Sequence, residues 1–89
     1  MKIQLPDLLA ALCGGAHEVD VAGDDVAGAL ADLSRKHPVL HNQLFNDGNA
    51  LRPHVNIFVG EEDIRSAQLL ATRVRAGDTI IIVPSISGG

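Results

Sequence analysis

The stretch "DTIIIVPSISGG", residues 78–89, decides the fold and suggests the function. Thr79–Val83 is an unbroken run of β-favouring residues, bounded by a Gly77-Asp78 turn signal on one side and Pro84 on the other, which marks a strand. Ile80 and Ile82 point opposite to Ile81 and Val83, so both faces of this strand are apolar. Six residues follow with no periodic apolar pattern, and nothing obvious fastens them to a core. At about 3.3–3.6 Å per residue, such an extension can carry its end roughly 20 Å from the strand. Gly88 and Gly89 accept any backbone angle and let the walls of another protein close tightly around the chain. A terminal carboxylate titrates at about 3.3–3.7 and is therefore anionic and inert to nucleophiles at neutral pH. It must become a better acyl donor before it can react. With Gly at about 7% of residues, a closing pair arises by chance in roughly 0.5% of chains, so the motif draws its weight from its place behind a final strand.

Outward from that strand, the remaining 77 positions read as one α+β unit. "MKIQL" alternates Met1, Ile3 and Leu5 against Lys2 and Gln4, the period of a half-buried strand, and Pro6 ends it. Leu8, Leu9 and Leu12 suit one helical turn before Gly14-Gly15 reverses the chain. "HEVDV" alternates again, so the first two strands pair as a hairpin with a long connection. "GDDVAGALADLSRKHP" is the main helix, with Asp24 as N-cap, Asp25 at the positive end of the dipole and a stripe of Val26, Leu30 and Leu33. Pro38 stops it at or before His37. Gly28 inside the helix costs about 1 kcal/mol relative to Ala, which points to close approach to the sheet. A connecting region carries Leu40, Leu44 and Phe45 and a turn at "NDGN". "HVNIFVG" is a strand with Val55, Ile57 and Val59 on one face and Asn56 and Phe58 on the other. "EEDIR" adds a short edge segment, and "QLLATRVRAGD" is a loop. The expected architecture is one helix across a mixed sheet of four to five strands, with residues 1–83 as the folded domain and 84–89 as a flexible tail. One sheet face is then open, and Phe58 with the last strand makes it apolar enough to dock a partner.

The composition excludes several functions. A formal charge of −4 with only seven Lys and Arg argues against nucleic acid, which demands basic clusters. Without Trp or Tyr, and with two distant phenylalanines, there is no base-stacking platform. No apolar run approaches the roughly 20 residues of a membrane span, and "LLAALCGG" is too short for a signal core, so a cytoplasmic protein without a membrane partner is expected. Cys13 stands alone and cannot form an internal disulfide; beside leucines it reads as a small core hydrophobe. His37 and His41 are spaced i, i+4, but Pro38 between them breaks the helix that would align them on a metal, and no CxxC or HExxH accompanies them. Asp63 and Arg65 read as a surface ion pair. Arg73 and Arg75 lie beside the Gly77-Asp78 turn and are too few to define an acidic partner. "CGG" precedes a strand rather than a helix and is no phosphate cradle.

Taken together, "MKIQLP", the helix, "RPHVNIFVGEEDIR", "LLAT", "AGDTIIIVP" and "SISGG" resemble the MoaD/ThiS-type β-grasp sulfur carriers, which share the ubiquitin fold. The resemblance covers almost the whole chain and is greatest to the cysteine-biosynthesis (CysO-like) branch. One departure is Leu69-Leu70, where that branch usually has Gly-Leu. The resemblance implies that an E1-like adenylating enzyme of MoeB/ThiF type uses ATP to activate the Gly89 carboxylate. A sulfide or persulfide donor then displaces AMP to leave a thiocarboxylate, and a sulfur-accepting synthase takes the sulfur. Gly88, Ser87, Ile86, Pro84 and Phe58 are the expected partner-binding residues. The carrier itself binds no cofactor or metal and is not an enzyme. Cysteine or a related metabolite is the favoured acceptor. The alternatives are the small subunit of molybdopterin synthase, a ubiquitin-like modifier whose Gly89 joins target lysines, and a plain interaction domain.

Overall fold

Alternation makes the first strand: Ile3 is wholly buried while Lys2 and Gln4 on either side are exposed. The structure, a computed structural model, describes residues 1–48 and 50–84. The expected features on residues 85–89 and on Asn49 lie outside them. Strand β1 (Lys2–Gln4) pairs antiparallel with β2 (Glu18–Asp20), Ile3 opposite Val19, after the short helix α1 (Asp7–Ala11). Gly14 and Gly15 turn the chain with φ of 69° and 91°, angles that glycine adopts without a side-chain penalty. Helix α2 (Val26–Lys36) follows, then a 3₁₀ turn at Pro38–Leu40 and the single-turn helix α3 (His41–Leu44). Strands β3 (Val55–Val59), β4 (Glu62–Asp63) and β5 (Thr79–Pro84) complete a five-stranded sheet in the order β2-β1-β5-β3-β4. The central β1–β5 pair is parallel and the other pairs are antiparallel, so the sheet is mixed as the sequence predicts.

Helix α2 covers one face. Val26, Leu30 and Leu33 are fully buried, together with Ala29, against Ile3, Ile57 and Ile80 in one core. Leu40 and Leu44 close its end and are equally buried. The edge strand β4 is only two residues long and carries Glu62 and Asp63, which keeps it from templating further strands.

Four local expectations are corrected. The N-cap of α2 is Asp25, not Asp24: its Oδ1 accepts from the Gly28 N–H at 2.7 Å. Asp24 is occupied otherwise, its carbonyl accepting from Val74 N–H at 3.1 Å, while Val26 N–H donates to Thr72 carbonyl at 2.9 Å. Gly28 does not approach the sheet; a Cβ there would lie 3.2 Å from that capping Oδ1. The tight approach belongs to Gly23, where a Cβ would fall 2.6 Å from the amide nitrogen of Ala29. Asp63 and Arg65 do not make a side-chain ion pair. Asp63 Oδ1 accepts from Arg65 N–H at 2.9 Å, and the guanidinium turns to Asn56 Oδ1 and the Pro53 carbonyl. Strand β5 also runs through Pro84, which pairs with Val55. A proline closing a strand is compatible with its missing N–H.

Candidate functional site

Where residue 84 leads into the Gly-Gly segment is fixed by the register of β5. In the antiparallel pairing with β3, Ile80, Ile81, Ile82 and Val83 stand opposite Val59, Phe58, Ile57 and Asn56. Ile80 and Ile82 are buried under α2 at 0% and 3% exposure. The odd positions, Ile81 and Val83, therefore face the other way together with Phe58. Phe58 and Ile81 are half-buried direct cross-strand neighbours, and Val83 is 39% exposed. This is a strip of apolar side chains on the side of the sheet that no helix among the described residues covers, and it ends next to Pro84. On the β1 side, Gln4 is the partner of Ile81, and a groove of about 260 Å³ follows the seam between Gln4, Pro6 and Val83.

Polar groups frame the strip and hold its edges still. Lys2 Nζ lies 3.6 Å from Glu18 Oε1 across β1 and β2. Asn56 Oδ1 accepts from the Arg65 guanidinium at 2.5 Å, which ties β3 to the turn after β4. Both interactions are exposed and orient side chains more than they stabilise the fold.

Of the residues singled out from the sequence, Phe58 and Pro84 are brought to this strip and its end. Ile86, Ser87, Gly88 and Gly89 lie outside the described residues. The histidines have local roles: His17 Nε2 is 2.9 Å from Asp7 Oδ1, and His41 stacks on Phe45 at 5.2 Å between ring centres. Among the described residues no group of three or more His, Cys, Asp or Glu is placed to hold a metal. Cys13 is partly buried against the core, and that burial pushes its thiol up from the ordinary value. No helix among the described residues is long and apolar enough to cross a membrane.

Two surfaces escape a reading of the sequence. One is a groove of about 390 Å³ on the helical side, walled by Ala27 and Ala31 of α2 with His41, Phe45 and Leu70. Its walls come from three separate segments, and no local pattern announces it. The other is α1, where Leu9 is buried but Leu8 is 73% and Leu12 43% exposed. A helix of five residues is too short for apolar spacing to reveal which leucine faces in.

A family model described as ThiS family matches residues 3–89. The chain belongs to the ThiS family. The relatives agree with it in extent as well as in fold. The chain is 30% identical over 91 residues to the sulfur carrier protein CysO of Mycobacterium tuberculosis, covering 100% of this chain and 98% of that protein. A chain of the BexX/CysO complex of Amycolatopsis orientalis superposes with a TM-score of 0.89 at 28% identity, covering 99% of this chain and 98% of that one. Small archaeal modifier protein 1 of Methanosarcina acetivorans gives 0.90 at 30% identity, with 99% and 94% covered. The β-grasp fold expected from the sequence is thereby shown, as is the kinship with CysO-type, ubiquitin-like sulfur carriers.

Proposed function

We propose that this chain is a cytoplasmic sulfur carrier of the CysO type, a co-substrate that enzymes act upon, with the Gly89 carboxylate as its working group. The observation that carries this reading is the apolar strip of Phe58, Ile81 and Val83, which ends where the chain departs toward Gly89. A face of that kind lets an enzyme grip the folded domain while it works on the end of the chain. The family match running to residue 89 supports the same reading.

The chemistry is as follows. The Gly89 carboxylate oxygen attacks the α-phosphorus of ATP held by a MoeB/ThiF-type enzyme, and pyrophosphate leaves. The resulting acyl-adenylate is an activated acyl donor. Sulfide attacks the acyl carbon and expels AMP, leaving a thiocarboxylate. A persulfide attacks in the same way to give an acyl disulfide, whose S–S bond a thiol then cleaves, freeing the thiocarboxylate and ending as a disulfide with the donor sulfur. Sulfur is a softer nucleophile than the oxygen it replaces, and a sulfur-accepting synthase receives it. A precursor of cysteine or a related metabolite is the acceptor we favour. The chain contributes the docking face and the acyl group. Ser87, Gly88 and Ile86 would line the enzyme's channel, the glycine admitting close walls.

The test is reconstitution with an adenylating enzyme, ATP and sulfide. Deleting Gly89 leaves the thermal unfolding transition in place and abolishes thiocarboxylate formation. A truncated chain that still gains sulfur would end the proposal. The likeness to small archaeal modifier protein 1 favours a second reading, conjugation of Gly89 to lysines. High-molecular-weight conjugates that vanish on Gly89 deletion would select it.

A further inference from the structure

The end of the sheet from which the chain runs toward Gly89 is also the end that carries α1. Strand β5 is parallel to β1 with Ile81 beside Gln4, so Pro6 and α1 follow next to the last residues of β5. Leu8 lines a groove together with Pro6, His54, Val55 and Ile82, and Val55 is the partner of Pro84. Leu8 is the most exposed large apolar side chain among the described residues, at 73%. Leu12, one helical turn on, is 43% exposed, while Leu9 between them anchors the helix in the core. Two leucines one turn apart on one face, held by a buried third, form a rigid apolar knob.

Chain length then limits what can cover that knob. Gly89 is the fifth residue after Pro84, so five Cα–Cα steps join them. Fully extended they span at most roughly 18 Å, so an active site that holds Gly89 must come within that distance of Pro84. An enzyme that holds Gly89 is thus kept close to Pro84, which has the strip of Ile81 and Val83 on one side and α1 on the other. Leaving Leu8 and Leu12 in water is unfavourable for the free chain, and an enzyme wall of apolar character at this point would remove them from it.

We propose that Leu8 and Leu12 are a second docking element for the enzyme that adenylates Gly89, gripping the side of the tail root that the open sheet face does not reach. This rests on the carrier reading above. The experiment uses the full chain with Leu8→Asp or Leu12→Asp, the MoeB/ThiF-type enzyme of the same host, and ATP–pyrophosphate exchange as the readout. Leu8 is the more exposed of the two, so the unfolding transition of Leu8→Asp stays at the wild-type position, and it is the deciding variant if Leu12→Asp shifts that transition. The expected result is a rise of about tenfold or more in KM for the carrier, the effect of losing one buried leucine contact. The value of kcat stays within about twofold, since the terminal carboxylate still reaches the same site. An unchanged KM beside an active wild-type chain overturns the docking element and leaves the carrier reading standing. A wild-type chain that the enzyme does not adenylate overturns both. If the wild-type chain sediments as a dimer that Leu8→Asp dissociates, the knob serves a second copy and the proposal is wrong.

Discussion

Leu69 holds φ at 54°, the left-handed region that a side chain normally avoids, and it is the one non-glycine with positive φ among the described residues. The resemblance to the CysO-like branch implies glycine at this position, and glycine would adopt this angle without a side-chain penalty. The turn is pinned from the next residues: Thr72 Oγ1 accepts from Gln68 N–H at 3.1 Å and donates to the Leu69 carbonyl at 2.6 Å. Left-handed geometry costs a leucine about 1–2 kcal/mol, and glycine's extra freedom in the unfolded chain returns about 0.5–1 kcal/mol of that. Leu69→Gly is therefore expected to stabilise the fold by up to about 1 kcal/mol in urea unfolding; a loss of stability would show that the exposed leucine makes contacts that outweigh the strain. Asp32 is the other residue with a definite price attached to its charge. Its carboxylate is 6% exposed and accepts from Ala22 N–H at 2.9 Å, with Lys36 at 3.2 Å and Arg35 also paired to it. The Ala22 hydrogen bond first, and then the two cations, hold its carboxyl below the ordinary value of 3.8 in spite of burial. A depressed folded value means that the stability Asp32 contributes is present above the unfolded value and is lost as pH falls through the folded one. Asp32→Asn should lower Tm at neutral pH, and its gap from wild type should close as pH drops below about 4. A gap independent of pH would refute the role of the charge.

Helix α2 shows which parts of an element can be read locally. The Val26, Leu30, Leu33 stripe and the stop before Pro38 are set by neighbours within the same stretch, and they fall where the spacing puts them. The cap is not local. Asp24 and Asp25 are equally good caps by type, and the choice is made by Val74, fifty positions away, whose N–H takes the Asp24 carbonyl. Gly28 misleads for the same reason: the glycine that matters is Gly23 in the preceding loop, pressed against the backbone of Ala29. Gly23→Ala would force that backbone apart and should cost about 1–3 kcal/mol in chemical denaturation, as overpacking does. A neutral substitution would mean that the loop moves away from α2 freely. Residues 68–75, which read as plain loop, hold a 3₁₀ turn at Leu69–Ala71 and buried Thr72 and Val74, because they pack along α2 and carry no periodicity of their own.

For the molecule as a whole, the succession of elements, the mixed sheet and its two-faced last strand were legible because alternation and the doubly apolar "TIIIV" run survive in the sequence, whereas the order of the strands across the sheet depends on pairings between distant segments. The site was legible only in its central strip. Phe58 and the β5 residues lie on strands, where side-chain direction follows position, whereas the exposure of Leu8 and Leu12 depends on how a short helix tilts onto the sheet. The division of labour we propose is a folded domain that enzymes grip by its apolar sheet face and a reacting group at Gly89. The carrier account places all transferable sulfur on Gly89 and none on Cys13, a partly buried thiol whose burial pushes it up from the ordinary value. The intact mass of the chain purified from its native host, beside a Gly89-deleted copy, tests that directly. The account predicts a wild-type mass raised by the exchange of one oxygen for one sulfur, and no gain in the deleted chain. A gain of one whole sulfur atom that persists without Gly89 would contradict it.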